Sequence, residues 1–160
     1  ESYHGANRVI QVHDEKLRIS IKPGAYDGQL LRIKGKGAPG SNKDQRGDLY
    51  VRIRVKPHPI FTRRGDDLYA IEKIDLYKAV LGGDKVIETL SGKIKVKIPP
   101  GAQNGTSIRI KGKGMPVADK AGMYGDLYLQ LQVLIPKELS KEEQELFEKL
   151  RDMRREKAGG

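Results

Sequence analysis

The sequence predicts a mostly β chain: two tandem small β-sandwich domains of like topology, followed by a C-terminal α-helix. Three observations carry this. A block of residues recurs at an offset of 77, apolar and polar residues alternate at period two inside each block, and one stretch near the end switches to helical spacing.

The repeat is the strongest signal. Lys16-Leu17-Arg18-Ile19-Ser20-Ile21-Lys22-Pro23-Gly24-Ala25 aligns with Lys93-Ile94-Lys95-Val96-Lys97-Ile98-Pro99-Pro100-Gly101-Ala102, and Arg32-Ile33-Lys34-Gly35-Lys36-Gly37 returns unchanged as Arg109-Ile110-Lys111-Gly112-Lys113-Gly114. Thirteen of the 24 positions from 16 to 39 are identical in the second copy. Gly47-Asp48-Leu49-Tyr50 recurs as Gly125-Asp126-Leu127-Tyr128 at an offset of 78, so the loop before it is one residue longer in the second copy. The similarity also runs backwards, from residues 5–10 to residues 82–87. The second copy has an opening segment, 65–81, that the first lacks, so the first copy is expected to begin mid-fold with an opening strand upstream of residue 1.

Within each copy, Leu17, Ile19 and Ile21 fall on one side of an extended segment, and Ile94, Val96 and Ile98 repeat the pattern. Leu49, Val51, Ile53 and Val55 do the same, as do Leu127, Leu129, Leu131 and Val133. Alternation of this kind marks half-buried antiparallel strands. Pro23-Gly24, Asp27-Gly28, Pro100-Gly101 and Asn104-Gly105 stand between them as turns. Glycines in the two Lys-Gly-Lys-Gly segments read as tight loops at positive φ. Pro57-His58-Pro59 reads as a stiff linker. The predicted units are residues 1–58, 59–138 and a helix with tail, 139–160.

The terminal helix has a capping box, Ser140 with Glu143, and an apolar stripe of Leu146, Phe147, Leu150 and Met153. Little else is left for that stripe to pack on, which predicts a homodimer through the helix. A shorter helical turn is expected at residues 77–81.

Composition narrows the function. The chain has 160 residues, 37% of them hydrophobic, which allows thin cores only. It has no cysteine, which excludes disulfides and thiolate metal sites and fits a cytoplasmic setting. No cofactor or metal is expected, since His4, His13 and His58 lack ligand spacing. No apolar run is long enough for a membrane helix. The net charge of +10 lies in the β-rich part, because residues 141–157 carry six bases and six acids. Such a surface could draw acidic protein segments or, non-specifically, DNA. No catalytic constellation is present: no Gly-x-Ser-x-Gly elbow, no His-Glu-x-x-His helix, and no carboxylate pair at matching repeat positions. The chain is therefore not expected to be an enzyme.

The motifs Tyr3-His4-Gly5, Ile21-Lys22-Pro23-Gly24, His58-Pro59-Ile60-Phe61, Ala79-Val80-Leu81-Gly82-Gly83 and Lys111-Gly112-Lys113-Gly114-Met115-Pro116, with the two Gly-Asp-Leu-Tyr segments, resemble the C-terminal substrate-binding region of DnaJ-type (J-domain) co-chaperones. The resemblance covers nearly the whole chain in order. The J domain's His-Pro-Asp is absent, since His58-Pro59 is followed by Ile60. Where the zinc-bearing class inserts a cysteine-rich module after the strand ending at Val12, this chain runs on through His13-Asp14-Glu15. It is thus similar to the zinc-free class, which includes the curved-DNA-binding protein of bacteria.

The resemblance implies a chaperone module that holds unfolded client polypeptide, or the acidic C-terminal tail of a DnaK-type chaperone, as an added strand along the first copy. It places the groove on residues 8–12. Ile10 and Val12 are expected to point into an apolar pocket with Val51, and Ile33, or Leu31 if the parity is reversed, to complete the wall. Arg8 is the basic position that would meet an acidic tail. The plainer alternatives are that Ile10, Val12, Ile33 and Val51 are sandwich core and that Arg8 is a solvated edge charge. In the second copy Lys85, Ile87 and Thr89 take the equivalent places, and the polar Thr89 predicts a poorer pocket. A non-specific DNA-binding module and a dimerisation spacer remain the competing functions.

Overall fold

The computed structural model describes residues 1–12, 15–37 and 47–157. The first copy contributes β1 (Ala6–Val12), β2 (Glu15–Ile21), β3 (Leu30–Ile33) and β4 (Leu49–Arg52). The second contributes β5 (Thr62–Arg64), β6 (Asp67–Asp75), α1 (Leu76–Leu81), β7 (Gly83–Thr89), β8 (Gly92–Ile98), β9 (Ser107–Ile110) and β10 (Leu127–Leu134). The helix α2 (Lys141–Lys157) follows. The chain is mostly β with a C-terminal helix, as the alternation predicts. His13, Asp14 and the loop after Gly37 lie outside the described residues.

Four sheets form: the antiparallel hairpins β1–β2 and β7–β8, the antiparallel pair β3–β4, and a four-stranded sheet in the order β5-β6-β10-β9. In that sheet β10 is antiparallel to β9 and parallel to β6 over its full length, from Leu127 opposite Leu68 to Leu134 opposite Asp75. Parallel neighbours need a long crossover. Here α1, the β7–β8 hairpin and β9 supply it. The short helix begins where the Asp75 carboxylate accepts the Lys78 N–H at 2.7 Å, which satisfies one orphan donor of the first turn.

Apolar residues from this sheet and from β7–β8 close one core. Leu127, Leu129 and Leu131 of β10 meet Leu68 and Ile74 of β6 and Ile87, Val96 and Ile98 of the hairpin. Each such side chain contributes about 1.5–3 kcal/mol by leaving water. The first copy seals its core less well. Ile19 is buried, but Ile10, Ile21, Leu49, Val51 and Ile53, counterparts of the buried set, are only half-buried. Among the described residues β4 pairs with β3 alone, whereas its counterpart β10 has a neighbour on each side.

The repeated motifs have a shared physical cause. Asp48 binds the Arg32 guanidinium, with Nε at 2.6 Å, and accepts the Gly35 N–H at 3.1 Å. Asp126 does the same with Arg109 Nε at 2.7 Å and the Gly112 N–H at 3.0 Å. Each carboxylate thus ties the Lys-Gly turn to the strand that follows the loop. Asp27 and Asn104 play a second matched part, accepting the N–H of Val55 and Val133 at 2.9 Å each.

The copies meet where the turn at residues 23–25 rests on the loop beginning at Met115. Arg63 of β5 spans this boundary: its guanidinium donates to the carbonyls of Gly24 (2.9 Å) and Ala25, and to Gly65 O at 2.7 Å. Burial pulls its pKa below the usual arginine value, against the smaller opposing pull of the Asp66 carboxylate. Tyr3 packs against the second copy's core, with its ring 6.2 Å from Tyr124.

Two predictions follow from this packing. Gly24 has φ +86°, and a Cβ there would lie 2.3 Å from Pro116 O, whereas Gly28, at φ +84°, has open space around it. Both Gly→Ala variants carry the positive-φ strain of about 1–2 kcal/mol, so Gly24→Ala is expected to lower Tm clearly more than Gly28→Ala. Equal losses in a thermal melt would show that the Pro116 contact is unimportant. Secondly, the Arg32 guanidinium holds Asp48, and the Gly112 N–H with Arg109 holds Asp126, below the ordinary carboxylate pKa. Stability from a lowered carboxylate pKa is present above its unfolded value, about 4, and is lost as pH falls through the folded value. Asp126→Asn is therefore expected to be less stable than the parent at pH 7, with the gap narrowing toward pH 2. A gap independent of pH, measured by urea unfolding, would refute the ionic account.

Candidate functional site

The candidate site begins with hairpin β1–β2. Its strands pair along their whole length, from Ala6 opposite Ile21 to Val12 opposite Glu15. Neither pairs with any other strand among the described residues. Each outer edge therefore presents backbone donors and acceptors that no ladder uses, the requirement for strand addition.

Arg8, Ile10 and Val12 lie on one face of β1, two residues apart. Ile10 and Val12 are half-buried, while Val9 on the opposite face is 59% exposed. Arg8 is engaged by Glu1: Nε donates to Oε2 at 2.9 Å, and Nη2 meets Oε1. The pair raises the Arg8 pKa and lowers that of Glu1. Both side chains remain more than half exposed, so the pair adds little to stability and a competing carboxylate can exchange with Glu1.

Leu31 and Val51 are direct cross-strand partners on β3 and β4, and Ile33 sits one pair along, opposite Leu49. All four are half-buried. The expectation that Ile33 and Leu31 are alternatives is corrected: residues two apart on a strand share a face, so both line the same side. The two sheets are tied at one end by Lys36 Nζ to Glu15 Oε2 at 3.0 Å. In the second copy Thr89 stands where Val12 stands in the first. Its hydroxyl donates to Gly92 O at 2.6 Å and accepts the Ser91 N–H at 3.2 Å, so it is committed to closing its own hairpin.

Sequence reasoning missed a cleft between the copies. It has a volume of about 630 Å³ over Ile53, Val55, Phe61 and Met115, and none of Ile10, Val12 and Val51 lines it. It forms where distant segments meet, which no local pattern reveals. A second feature missed is the stacked pair Tyr69–Tyr128, with ring centroids 5.0 Å apart. The recurrence of Leu-Tyr after Asp67 and Asp126 could have signalled it.

The dimerisation candidates Leu146, Phe147, Leu150 and Met153 all lie on α2. The capping box forms, with Glu143 N donating to Ser140 Oγ at 3.1 Å and Ser140 N to Glu143 Oε1 at 3.0 Å. No residue of α2 is buried: Leu146, Leu150 and Met153 are 61%, 57% and 61% exposed. Phe147 lies near Tyr77, with ring centroids 6.4 Å apart. Among the described residues no group of three or more His, Cys, Asp or Glu could hold a metal ion. No described helix is long and apolar enough to cross a membrane.

Residues 1–136 match the family described as DnaJ C terminal domain. The chain is 44% identical over 146 residues to Chaperone protein DnaJ of Brucella anthropi, covering 91% of this chain and 38% of that protein. It is 41% identical over 138 residues to the Caldicellulosiruptor saccharolyticus protein of the same name (86% and 35%), and 43% identical over 149 residues to that of Brucella canis (92% and 39%). The chain thus spans little more than a third of these relatives' length. With the two copies, the hairpins and the terminal helix in place, the match establishes that this chain belongs to the DnaJ C-terminal domain family.

Proposed function

We propose that the chain is the client-holding part of a J-domain co-chaperone of the zinc-free class, working in the cytoplasm. Unfolded polypeptide adds as a strand to the free edge of β1 and places alternate side chains against Ile10 and Val12, with Leu31, Ile33 and Val51 from the neighbouring sheet. The observation that carries this reading is the pairing of β1 with β2 alone among the described residues, with Ile10, Val12 and Val51 half-buried where their second-copy counterparts Ile87, Thr89 and Leu129 are buried. Backbone pairing is indifferent to client sequence, and the apolar face adds preference for extended hydrophobic segments.

Arg8 offers the same site to the acidic tail of a DnaK-type chaperone, with a tail carboxylate replacing Glu1. Handing over the client then follows from competition for one edge. The exposed face of α2 joins two chains, so that two such edges act on one client and raise its effective concentration. The non-specific DNA reading is weaker on electrostatic grounds. On the outer face of β7–β8, Lys97 lies opposite Asp84 and Lys93 opposite Glu88, which breaks the basic row a phosphate backbone needs.

Ile10→Asp is expected to abolish suppression of client aggregation while lowering Tm by no more than about 4 °C, roughly 1 kcal/mol in a chain of this size. A collapse of Tm would instead make Ile10 part of the core and remove the site. For the helix, Leu150→Asp is expected to turn a dimer into a monomer in sedimentation velocity, with the melting of the β domains unchanged. An unaltered sedimentation coefficient would exclude α2 as the dimer contact.

A further inference from the structure

The outer face of the four-stranded sheet carries an ordered row that the proposed client edge does not use. Arg64 of β5 lies over the Tyr69 ring of β6, 5.2 Å from its centroid. Tyr69 stacks on Tyr128 of β10, which is the cross-strand partner of Arg109 on β9. The row across the sheet therefore reads cation, aromatic, aromatic, cation. Two residues further along β6 is Ile71, 60% exposed, and two further again is Lys73, also exposed. Ile60 adds apolar surface beside Ile71, and the whole forms a shallow concavity of about 760 Å³.

The concavity is lined by two cations, Arg64 and Lys73, and by no carboxylate. Carboxylates stand outside its lining: Asp126 is ion-paired with Arg109, while Asp67 and Asp75 accept the backbone N–H groups of Asp126 and Lys78. Arg64 and Lys73 make no ion pair among the described residues. Two cations without an ion-pair partner among the described residues thus flank an exposed isoleucine: Arg64 of β5, over the Tyr69 ring two residues before Ile71, and Lys73 of β6, two residues after it.

We infer that this face of the second copy is a second polypeptide-binding surface, one that takes an extended acidic segment of the pattern carboxylate-x-aliphatic-x-carboxylate. Side chains at i, i+2 and i+4 of an extended chain stand about 7 Å apart, the same spacing that separates the levels of Tyr69, Ile71 and Lys73. One carboxylate meets Arg64 at the tyrosine level, the aliphatic side chain covers Ile71, and the second carboxylate meets Lys73. A single-stranded nucleic acid fits less well. Stacking platforms offer free ring faces, whereas Tyr69 lies between Arg64 and Tyr128 in the strand order and has a neighbour on both sides.

The test titrates the chain with a synthetic peptide, acetyl-Gly-Glu-Ser-Leu-Ser-Glu-Gly-amide, and in parallel with a thymidine oligonucleotide, following backbone amide shifts by NMR. The expected result is saturable shifts centred on residues 64, 69, 71, 73 and 128. Arg64→Glu with Lys73→Glu is expected to weaken the peptide about tenfold, since each reversal removes an attraction and adds a repulsion. Ile71→Ser, which leaves the charges alone, is expected to weaken it to a smaller degree. Ile10→Asp, which damages the proposed client edge, should leave this binding unchanged. The inference is overturned if the peptide does not bind, if the charge reversals leave its affinity unaltered, if Ile10→Asp abolishes it, or if the oligonucleotide binds this face and the peptide does not.

Discussion

The second copy's core depends on the parallel contact between β6 and β10, which places β10 in the middle of its sheet. With β6 on one side and β9 on the other, β10 holds Leu127, Leu129 and Leu131 at 1% exposure or less. The same side chain types on β4, with β3 as the one described neighbour, stay half in water. Two copies of nearly one sequence pattern therefore reach different states. The difference comes from what covers each strand: β10 lies between two strands, and the β7–β8 hairpin packs on that sheet, whereas β4 has one described neighbour. A sealed unit serves as a support, and an incompletely covered one offers apolar surface to an incoming segment.

Support also requires that the two copies hold a fixed relation. The contact is small, and its groups suit that role. Arg63 places three donors on backbone carbonyls, which bind without depending on side-chain rotamers. Gly24 lets the first copy's turn approach Pro116 more closely than any side chain would permit. Within each copy the Asp-Arg-Gly clamp ties the Lys-Gly turn to the strand that follows. A client lying on β1 and an acidic segment on the β6 face would then sit on one framework.

The electrostatics separate the two surfaces. On β1 a single arginine, engaged by an exchangeable carboxylate, stands beside apolar residues. On the outer face of the four-stranded sheet Arg64 and Lys73 have no such partner among the described residues, and Ile60 and Ile71 stand beside the stacked tyrosines. Affinity at the proposed client edge would depend on backbone pairing and hydrophobic contact, so salt should affect it weakly. Binding at the proposed second surface would rely on exposed charges and be open to screening within about 10 Å at ordinary ionic strength.

Much of this architecture is legible in the residues alone. Period-two alternation places the strands, since side chains of a strand must point to opposite faces whatever surrounds them. The repeat identifies equivalent positions, and the Ser140–Glu143 spacing marks the start of α2, because these are local constraints that act within a few residues. The membership of Arg8, Ile10 and Val12 in one face is likewise a matter of parity, and the same parity puts Leu31 and Ile33 together. Burial is not local. Whether Val51 is sealed as Leu129 is, and whether Tyr69 finds Tyr128, depend on which strands lie side by side. That choice is made when segments about 60 residues apart in the chain come together, and only the tertiary structure decides it.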